Sequence, residues 1–189
     1  QLDDVYAALD FLGIRHSETT VCETDDLIAG YALTLEGETE IVISSWDSDF
    51  FQLITDRTSV LRYRGTKTAL CTPAYITEKF GISPAQYADF TSLTGDAADH
   101  IKGVDRIGSK TASALLFEFG SLKNLLAHAD QIQKPSVRAA ILQSRQRLET
   151  NYRLIKLEHT APLPFAPPEL AYSDTGLTTN EVLKGIGLK

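Results

Sequence analysis

Methionine is absent from the 189 residues, and only two cysteines and one tryptophan are present. Since the chain begins at Gln1 and carries no methionine, we expect it to be a fragment of a longer protein. Cys22 and Cys71 have neither CxxC nor zinc-finger spacing, which predicts free thiols rather than a zinc site or a disulfide. No run approaches the roughly 18 apolar residues that a membrane helix needs, and nothing at the start resembles a signal peptide. We therefore expect a cytoplasmic protein that has no membrane partner.

Acidic and basic side chains are separated along the chain. Residues 1–99 contain 6 basic and 17 acidic side chains, whereas residues 100–147 contain 8 basic and 3 acidic ones, within a total net charge of −7. Clustered carboxylates hold divalent cations, and a cationic segment holds phosphates. The four histidines are dispersed, so no Ser-His-Asp site is indicated. The charge pattern predicts a metal-binding part followed by a phosphate-binding part.

Seven carboxylates stand at predicted strand ends or helix starts. They are Glu23, Asp25, Asp26, Asp47, Asp49, Asp96 and Asp99. Acidic residues complement the dipole at a helix start, and an N-cap would account for one of them. Capping does not account for all seven, and so many like charges would repel one another without a cation. Oxygen ligands suit Mg²⁺, which keeps several of its waters, and a pair of such ions about 4 Å apart serves phosphodiester hydrolysis.

A glycine-punctuated turn follows the last two aspartates and leads into a predicted helix. Gly103 and Gly108 permit a tight hairpin and the close approach of a phosphate, and Lys102, Arg106 and Lys110 lie on or beside it. A purely structural helix hairpin would have a similar pattern, but the position just after an aspartate pair favours phosphate binding. We expect the nucleic-acid backbone to be recognised there rather than base edges.

The hydrophobic pattern predicts an α/β fold with a mostly parallel sheet and an all-helical unit. Residues 2–12 have helical spacing with Gly13 as the stop, and Glu40–Ser45 is typical of a strand buried on both faces. Two further strands are expected at Ser59–Tyr63 and Thr66–Cys71, and Leu154–Leu157 is expected to return to the sheet. We predict a nuclease-like unit at 1–72, a helical unit at 73–150 and a return segment with a tail at 151–189.

Three ordered motifs resemble those of one family. Residues 22–26 (CETDD) resemble its Glu-Ala-Asp-Asp motif, and residues 46–53 (WDSDFFQL) resemble its Gly-Asp-x-Asp-x-x-Gln-Leu motif. Residues 95–99 (GDAAD) and 103–112 (GVDRIGSKTA) resemble its helix–three-turn–helix signature, a helix-hairpin-helix that binds DNA. Over about residues 1–170 the chain is similar to the structure-specific 5′ nucleases, which include flap endonucleases and the 5′–3′ exonuclease domain of bacterial DNA polymerase I.

The resemblance implies a PIN-like (Rossmann-like) domain with a helical DNA-binding insertion, in a monomer that cleaves branched or 5′-ended DNA. It implies two Mg²⁺ or Mn²⁺ ions on the seven carboxylates, with catalysis centred on Asp26, Asp47, Asp49 and Asp96. It also implies a K⁺ ion on the backbone carbonyls of Leu93, Thr94, Lys102, Val104 and Ile107. The implied DNA contacts are Lys102, Gly103, Arg106, Ile107, Gly108, Ser109, Lys110 and Thr111.

The sequence departs from the family pattern at several points. Trp46 and Ser48 replace a glycine and a basic residue in the second motif, and Ala98, His100 and Lys102 differ around the third. The family's first strand, two of its aspartates and its helical arch are not among these 189 residues, so we expect an incomplete nuclease. A non-catalytic protein that binds DNA structures therefore remains an alternative. A PIN-type ribonuclease is a third, which the helical insertion disfavours.

Overall fold

The computed structural model describes residues 1–188, which form two helices, then a three-stranded sheet, then a mostly helical region. The α-helices are α1 (Leu2–Leu12), α2 (Thr24–Thr34), α3 (Pro73–Phe80), α4 (Tyr87–Thr94), α5 (Ser109–Phe119), α6 (Leu122–Ala127), α7 (Pro135–Gln143), α8 (Arg145–Ile155) and α9 (Thr179–Gly185). The strands are β1 (Ile41–Ser44), β2 (Thr58–Arg62), β3 (Ala69–Cys71), β4 (Gly95–Asp96) and β5 (Ile101–Lys102). Among residues 1–188, no helix is long and apolar enough to cross a membrane.

Capping residues fix where several helices begin and end. Gly13 closes α1 with a left-handed backbone, φ 71°, as the stop signal predicts. The Thr72 hydroxyl accepts a hydrogen bond from the Tyr75 N–H at 3.4 Å, and Pro73 occupies the first turn of α3. Gly81 ends α3 at φ 70°. These local signals confirm the predicted helix at the start of the chain and the one after β3.

The main sheet has the order β1-β2-β3, with β1 parallel to β2 and β2 antiparallel to β3. This confirms two strands after β1, although a 3₁₀ turn at Gly65–Lys67 replaces the start of the one predicted at Thr66–Cys71. The expectation that β1 is buried on both faces is wrong, because Ile43 is buried whereas Val42 is 58% exposed. Within residues 1–188 only the Ile43 face of β1 packs on the hydrophobic core, and the face that carries Val42 and Ser44 is exposed.

The expected strand at Leu154–Leu157 is also wrong, since α8 continues to Ile155. The side chain of Gln52, in the second motif, instead holds the end of this helix. Its Nε2 donates to the Ile155 carbonyl at 2.8 Å, and its Oε1 accepts from the Leu157 N–H at 3.3 Å. One side chain thus satisfies a backbone carbonyl and a backbone N–H at the end of α8.

An aromatic cluster joins the segment after β1 to the helical region. Phe51, fully buried in a 3₁₀ turn at Asp49–Leu53, meets the Tyr87 ring edge-to-face at 5.2 Å. Phe80 contacts both Tyr87 and Phe90 at 5.5 Å. Edge-to-face pairs of this kind add to the burial of apolar area. The cluster fixes the position of Asp49 relative to α4. This helix leads directly into β4, which carries Asp96.

Candidate metal centre and nucleic-acid interface

Three elements contribute the carboxylates. Asp25 and Asp26 lie in the first turn of α2 with Glu23 at its N-cap, and the Glu23 side chain makes no capping hydrogen bond. Asp47 follows β1, and its Oδ1 accepts from the Asp49 N–H at 2.9 Å. This bond is an Asx turn that aims both side chains from one loop.

The third element is β4 and the loop after it. Asp96 Oδ1 accepts from the Ala98 N–H at 2.8 Å, which fixes the loop that carries Asp99. Asp26 has a structural contact as well, because its Oδ1 accepts from the Glu158 N–H at 2.8 Å. That bond ties the segment after α8 to the start of α2.

Four of the other carboxylates change the pKa of Asp49. Burial, followed by the negative charges of Asp47, Asp96, Asp99 and Asp25, raises the pKa of Asp49 to about 7. The four neighbours come from α2, the loop after β1 and the loop after β4, so distant parts of the sequence are brought within electrostatic range of one carboxyl. Glu23 and Asp26 do not contribute to this shift. A bound cation would offset the repulsion between Asp49 and these neighbouring carboxylates.

The donor set fits hydrated divalent ions rather than a tight protein cage. Among residues 1–188, no three His, Cys, Asp or Glu side chains lie close enough together to form a ready-made metal cage. Mg²⁺ commonly binds proteins through one or two carboxylates and retains several waters. Carboxylates that interact electrostatically without direct contact suit this hydrated mode of binding.

The glycine hairpin requires glycine at the crossing of β4 and β5. A Cβ on Gly103 would lie 2.3 Å from the Thr94 carbonyl carbon, and one on Gly95 would lie 2.5 Å from the Gly103 nitrogen. Gly95 also has φ 83°. Two backbones therefore touch where any side chain would separate them. This contact places Asp96 next to the phosphate-binding turn predicted from the sequence.

The turn after the hairpin presents backbone N–H groups and cations. Gly108 precedes α5 without a side-chain cap, so the first N–H groups of the helix remain available. Ser109 and Lys110 are exposed, whereas Ile107 is buried and anchors the turn. Arg106 has φ 69°, a conformation that is rare for a residue with a side chain and that occurs often at ligand-binding turns.

Three of the five carbonyls assigned to K⁺ already accept hydrogen bonds. Leu93 O accepts from the Val104 N–H at 2.8 Å, and Val104 O accepts from the Ile107 N–H at 3.1 Å. Lys102 O accepts from Asn151 Nδ2 at 2.9 Å. Each carbonyl oxygen has a second lone pair.

Asn151 on α8 supports the hairpin, and the sequence analysis missed it. It is 5% exposed, and its Nδ2 donates to the carbonyls of Ser92, at 3.1 Å, and Lys102. Arg147, one turn earlier, donates to the Gly103 carbonyl at 3.2 Å. The available signal was a polar residue on the buried stripe of α8 between Leu148 and Ile155.

Comparisons with known proteins agree with this geometry. Residues 1–81 match the family model described as "5'-3' exonuclease, N-terminal resolvase-like domain". Residues 82–176 match the one described as "5'-3' exonuclease, C-terminal SAM fold". The SAM fold is helical, so the two matches confirm the fold class expected from the sequence.

Individual proteins give the same result. The thermostable DNA polymerase I of Thermus aquaticus is 40% identical over 164 residues, which are 86% of this chain and 19% of that protein. A 5'-3' exonuclease of Buchnera aphidicola is 34% identical over 182 residues, 93% of this chain and 63% of the relative. The chain thus spans about a fifth of the polymerase and less than two thirds of the exonuclease.

A solved structure of T5 5'-exonuclease with bound divalent zinc ions has a TM-score of 0.63 at 25% identity, covering 71% of this chain and 50% of the other. Family models matching consecutive parts of the sequence, together with the shared fold, carry the assignment. The chain belongs to the 5'-3' exonuclease family.

Proposed function

We propose that this chain is the catalytic and DNA-binding part of a divalent-metal-dependent 5′–3′ exonuclease and flap endonuclease. The observation that carries the proposal is that Asp25, Asp47, Asp96 and Asp99 act electrostatically on Asp49, with Asp47 and Asp96 held by hydrogen bonds from the Asp49 and Ala98 N–H groups. Its relatives bear the names of a DNA polymerase, a 5'-3' exonuclease and a metal-bound T5 exonuclease, which supports DNA as substrate and a divalent cation as cofactor.

The carboxylates would hold two Mg²⁺ or Mn²⁺ ions, which supply Lewis acidity and an activated water when bound. Asp47 and Asp49 would bind from the loop after β1, Asp96 and Asp99 from the hairpin, and Asp25 from α2. Asp26 and Glu23 would act through water, since neither is among the carboxylates that act on Asp49. Four negative charges around Asp49 also repel a phosphodiester, so substrate would bind only to the cation-loaded centre.

The helical hairpin would hold the DNA backbone beside this centre. Arg106 and Lys110 provide cations, and the N-terminus of α5 provides backbone donors for a phosphate. We further propose that K⁺ binds the hairpin carbonyls, each of which has a lone pair to offer. In this scheme residues 1–72 supply most of the metal-binding carboxylates, residues 73–150 supply Asp96 and Asp99 and bind DNA, and residues 151–189 return to the first unit, in a cytoplasmic monomer whose two cysteines are free.

The test combines cleavage with two binding measurements on the chain. A 5′-flapped duplex is incubated with Mg²⁺ and the chain, its Asp96→Asn variant, and an Asp56→Asn control that changes an exposed carboxylate outside the centre. Mn²⁺ binding is followed by electron paramagnetic resonance, and DNA binding by fluorescence anisotropy. We expect Mn²⁺ binding and flap cleavage by the chain and the control, and a loss of both in Asp96→Asn.

The cleavage, Mn²⁺-binding and DNA-binding measurements together distinguish the candidate functions. DNA binding without Mn²⁺ binding or cleavage would favour the non-catalytic alternative, which the absence of a ready-made metal cage among residues 1–188 keeps open. Cleavage of RNA in preference to DNA would favour the ribonuclease. Mn²⁺ affinity unchanged by Asp96→Asn would overturn the assigned metal centre.

A further inference from the structure

Trp46 lies directly before the carboxylates of the loop after β1 and remains 49% exposed. Tryptophan is usually buried over most of its area, and an exposed one often marks a binding surface. Its indole N–H is already satisfied, because Nε1 donates to the Tyr63 carbonyl at 3.0 Å. The exposed part of the ring is therefore available for stacking rather than for a hydrogen bond from its N–H.

Arg62 holds the loop that carries this ring. Its Nη2 donates to the Trp46 carbonyl at 2.8 Å and to Ser48 Oγ at 2.6 Å. Its guanidinium lies 4.5 Å from the ring centroid of buried Phe51 and 5.7 Å from that of Trp46. Contacts of one side chain with the backbone, a hydroxyl and two rings restrict the motion of Trp46, which lowers the entropic cost of binding.

Arg64 adds an unpaired cation beside the same ring. Its guanidinium carbon lies 5.8 Å from the Trp46 ring centroid. Neither Arg62 nor Arg64 forms an ion pair with any carboxylate in the part of the chain that the structure describes. A half-exposed indole with a guanidinium over its ring and no ion pair to hold that cation is a combination that binds an unpaired nucleotide, since the exposed part of the ring stacks on the base and the cation meets the phosphate.

The distance to the proposed metal centre fits the same nucleic acid. Trp46 is three residues before Asp49, so their Cα atoms are separated by at most about 11 Å. A nucleotide on Trp46 would thus be close to the phosphodiester at the carboxylates. A base within a duplex is stacked on both sides and cannot offer its face, so the Trp46 ring selects an unpaired base.

We propose that Trp46 and Arg64 form a stacking site for one unpaired nucleotide next to the bond that is cleaved. The site makes the chain prefer DNA with an unpaired segment over a continuous duplex. The inference rests on the proposed function, since it needs DNA at the metal centre.

The test uses Trp46 as its own reporter, because it is the single tryptophan of the sequence. Its fluorescence is titrated with a 5′-flapped duplex and with a continuous duplex of equal length. Ca²⁺ replaces Mg²⁺, because it binds the same oxygen ligands with looser geometry. In parallel, the anisotropy of labelled DNA gives the affinities of Trp46→Ala, Trp46→Phe, Arg64→Ala and the exposed-aromatic control Tyr172→Ala. Thermal unfolding confirms that each variant is folded.

We expect the flap, but not the duplex, to quench the fluorescence. Trp46→Ala should weaken flap binding by about 5-fold to 150-fold, the range for the loss of one base–aromatic stack, and should leave duplex affinity unchanged. Trp46→Phe should retain most of the flap preference, Arg64→Ala should lose part of it, and Tyr172→Ala should match the parent. A purely structural role for Trp46 would lower thermal stability without changing the ratio of the two affinities.

Two results would overturn the inference in distinguishable ways. If the chain binds the flap, loses that binding in an Arg106→Ala variant, and shows neither quenching nor an effect of Trp46→Ala, the stacking site is wrong and the proposed function stands. If the chain binds neither DNA, the proposed function fails and the stacking site fails with it.

Discussion

Replacing Asn151 tests whether α8 holds the glycine hairpin at Gly95 and Gly103 in shape. The Asn151 amide donates to the Ser92 carbonyl at 3.1 Å and the Lys102 carbonyl at 2.9 Å, and Ser92 is fully buried. Asn151→Ala removes both hydrogen bonds and leaves two acceptors without their donor. Asn151→Asp keeps the shape but replaces the donor by an acceptor that faces two carbonyl oxygens.

The expected magnitude follows from these contacts. Each hydrogen bond contributes about 0.5–1.5 kcal/mol net, so Asn151→Ala should lower the free energy of unfolding by about 1–3 kcal/mol. For a chain of this size that is a fall in Tm of about 2–12 °C. Asn151→Asp should be at least as destabilising at neutral pH, since an ionised carboxylate would be buried beside two oxygens.

The assay is urea unfolding, with hydrogen exchange of the amides around Gly103 as a local probe. The midpoint should fall at an unchanged m-value, and protection of the hairpin amides should fall with it. Asn180→Ala, an exposed asparagine in α9, serves as the matched control and should change nothing. A loss below about 0.5 kcal/mol in Asn151→Ala, the low end for one hydrogen bond, would refute the reasoning.

Two further predictions concern the hairpin and the metal centre. Gly103→Ala would place a Cβ 2.3 Å from a carbonyl carbon, so DNA binding should be lost by anisotropy. In the control Gly13→Ala the Cβ meets nothing within 4 Å, and the strain at φ 71° should lower stability while leaving DNA binding intact. The pKa of Asp49 is raised to about 7, above its ordinary value of 3.8, so the folded chain favours the neutral carboxyl. Stability in EDTA should therefore decline as pH rises from about 4 through 7, and Mn²⁺ affinity should rise over pH 5.5–7 as the proton is displaced. A Mn²⁺ dissociation constant that is independent of pH in that range, measured by calorimetry, would contradict the assignment.

Helix positions and the motif-bearing turns were predictable because their signals are local. Gly13 ends α1 and Pro73 opens α3, and both act within one turn of the chain. The strands after β1 were predictable from two extended segments around the turn at Arg64 and Gly65, and the 3₁₀ turn at Gly65–Lys67 shortens the second strand to Ala69–Cys71. The errors arose where tertiary contacts decide. Val42 looks like a core residue by composition, yet it is largely exposed, and Leu154 belongs to α8 rather than to a strand.

The sequence by itself determined which side chains are candidates for the chemistry, because motifs fix residue types at short spacings. Only the tertiary structure decided that Asp96 lies within electrostatic range of Asp49, through an aromatic cluster that fixes the loop after β1 against α4. It also decided that Asn151 supports the hairpin and that Trp46 stays exposed beside two guanidiniums. Such contacts join residues far apart in the chain, and the free energy that selects them comes from packing the whole domain, which no local pattern encodes.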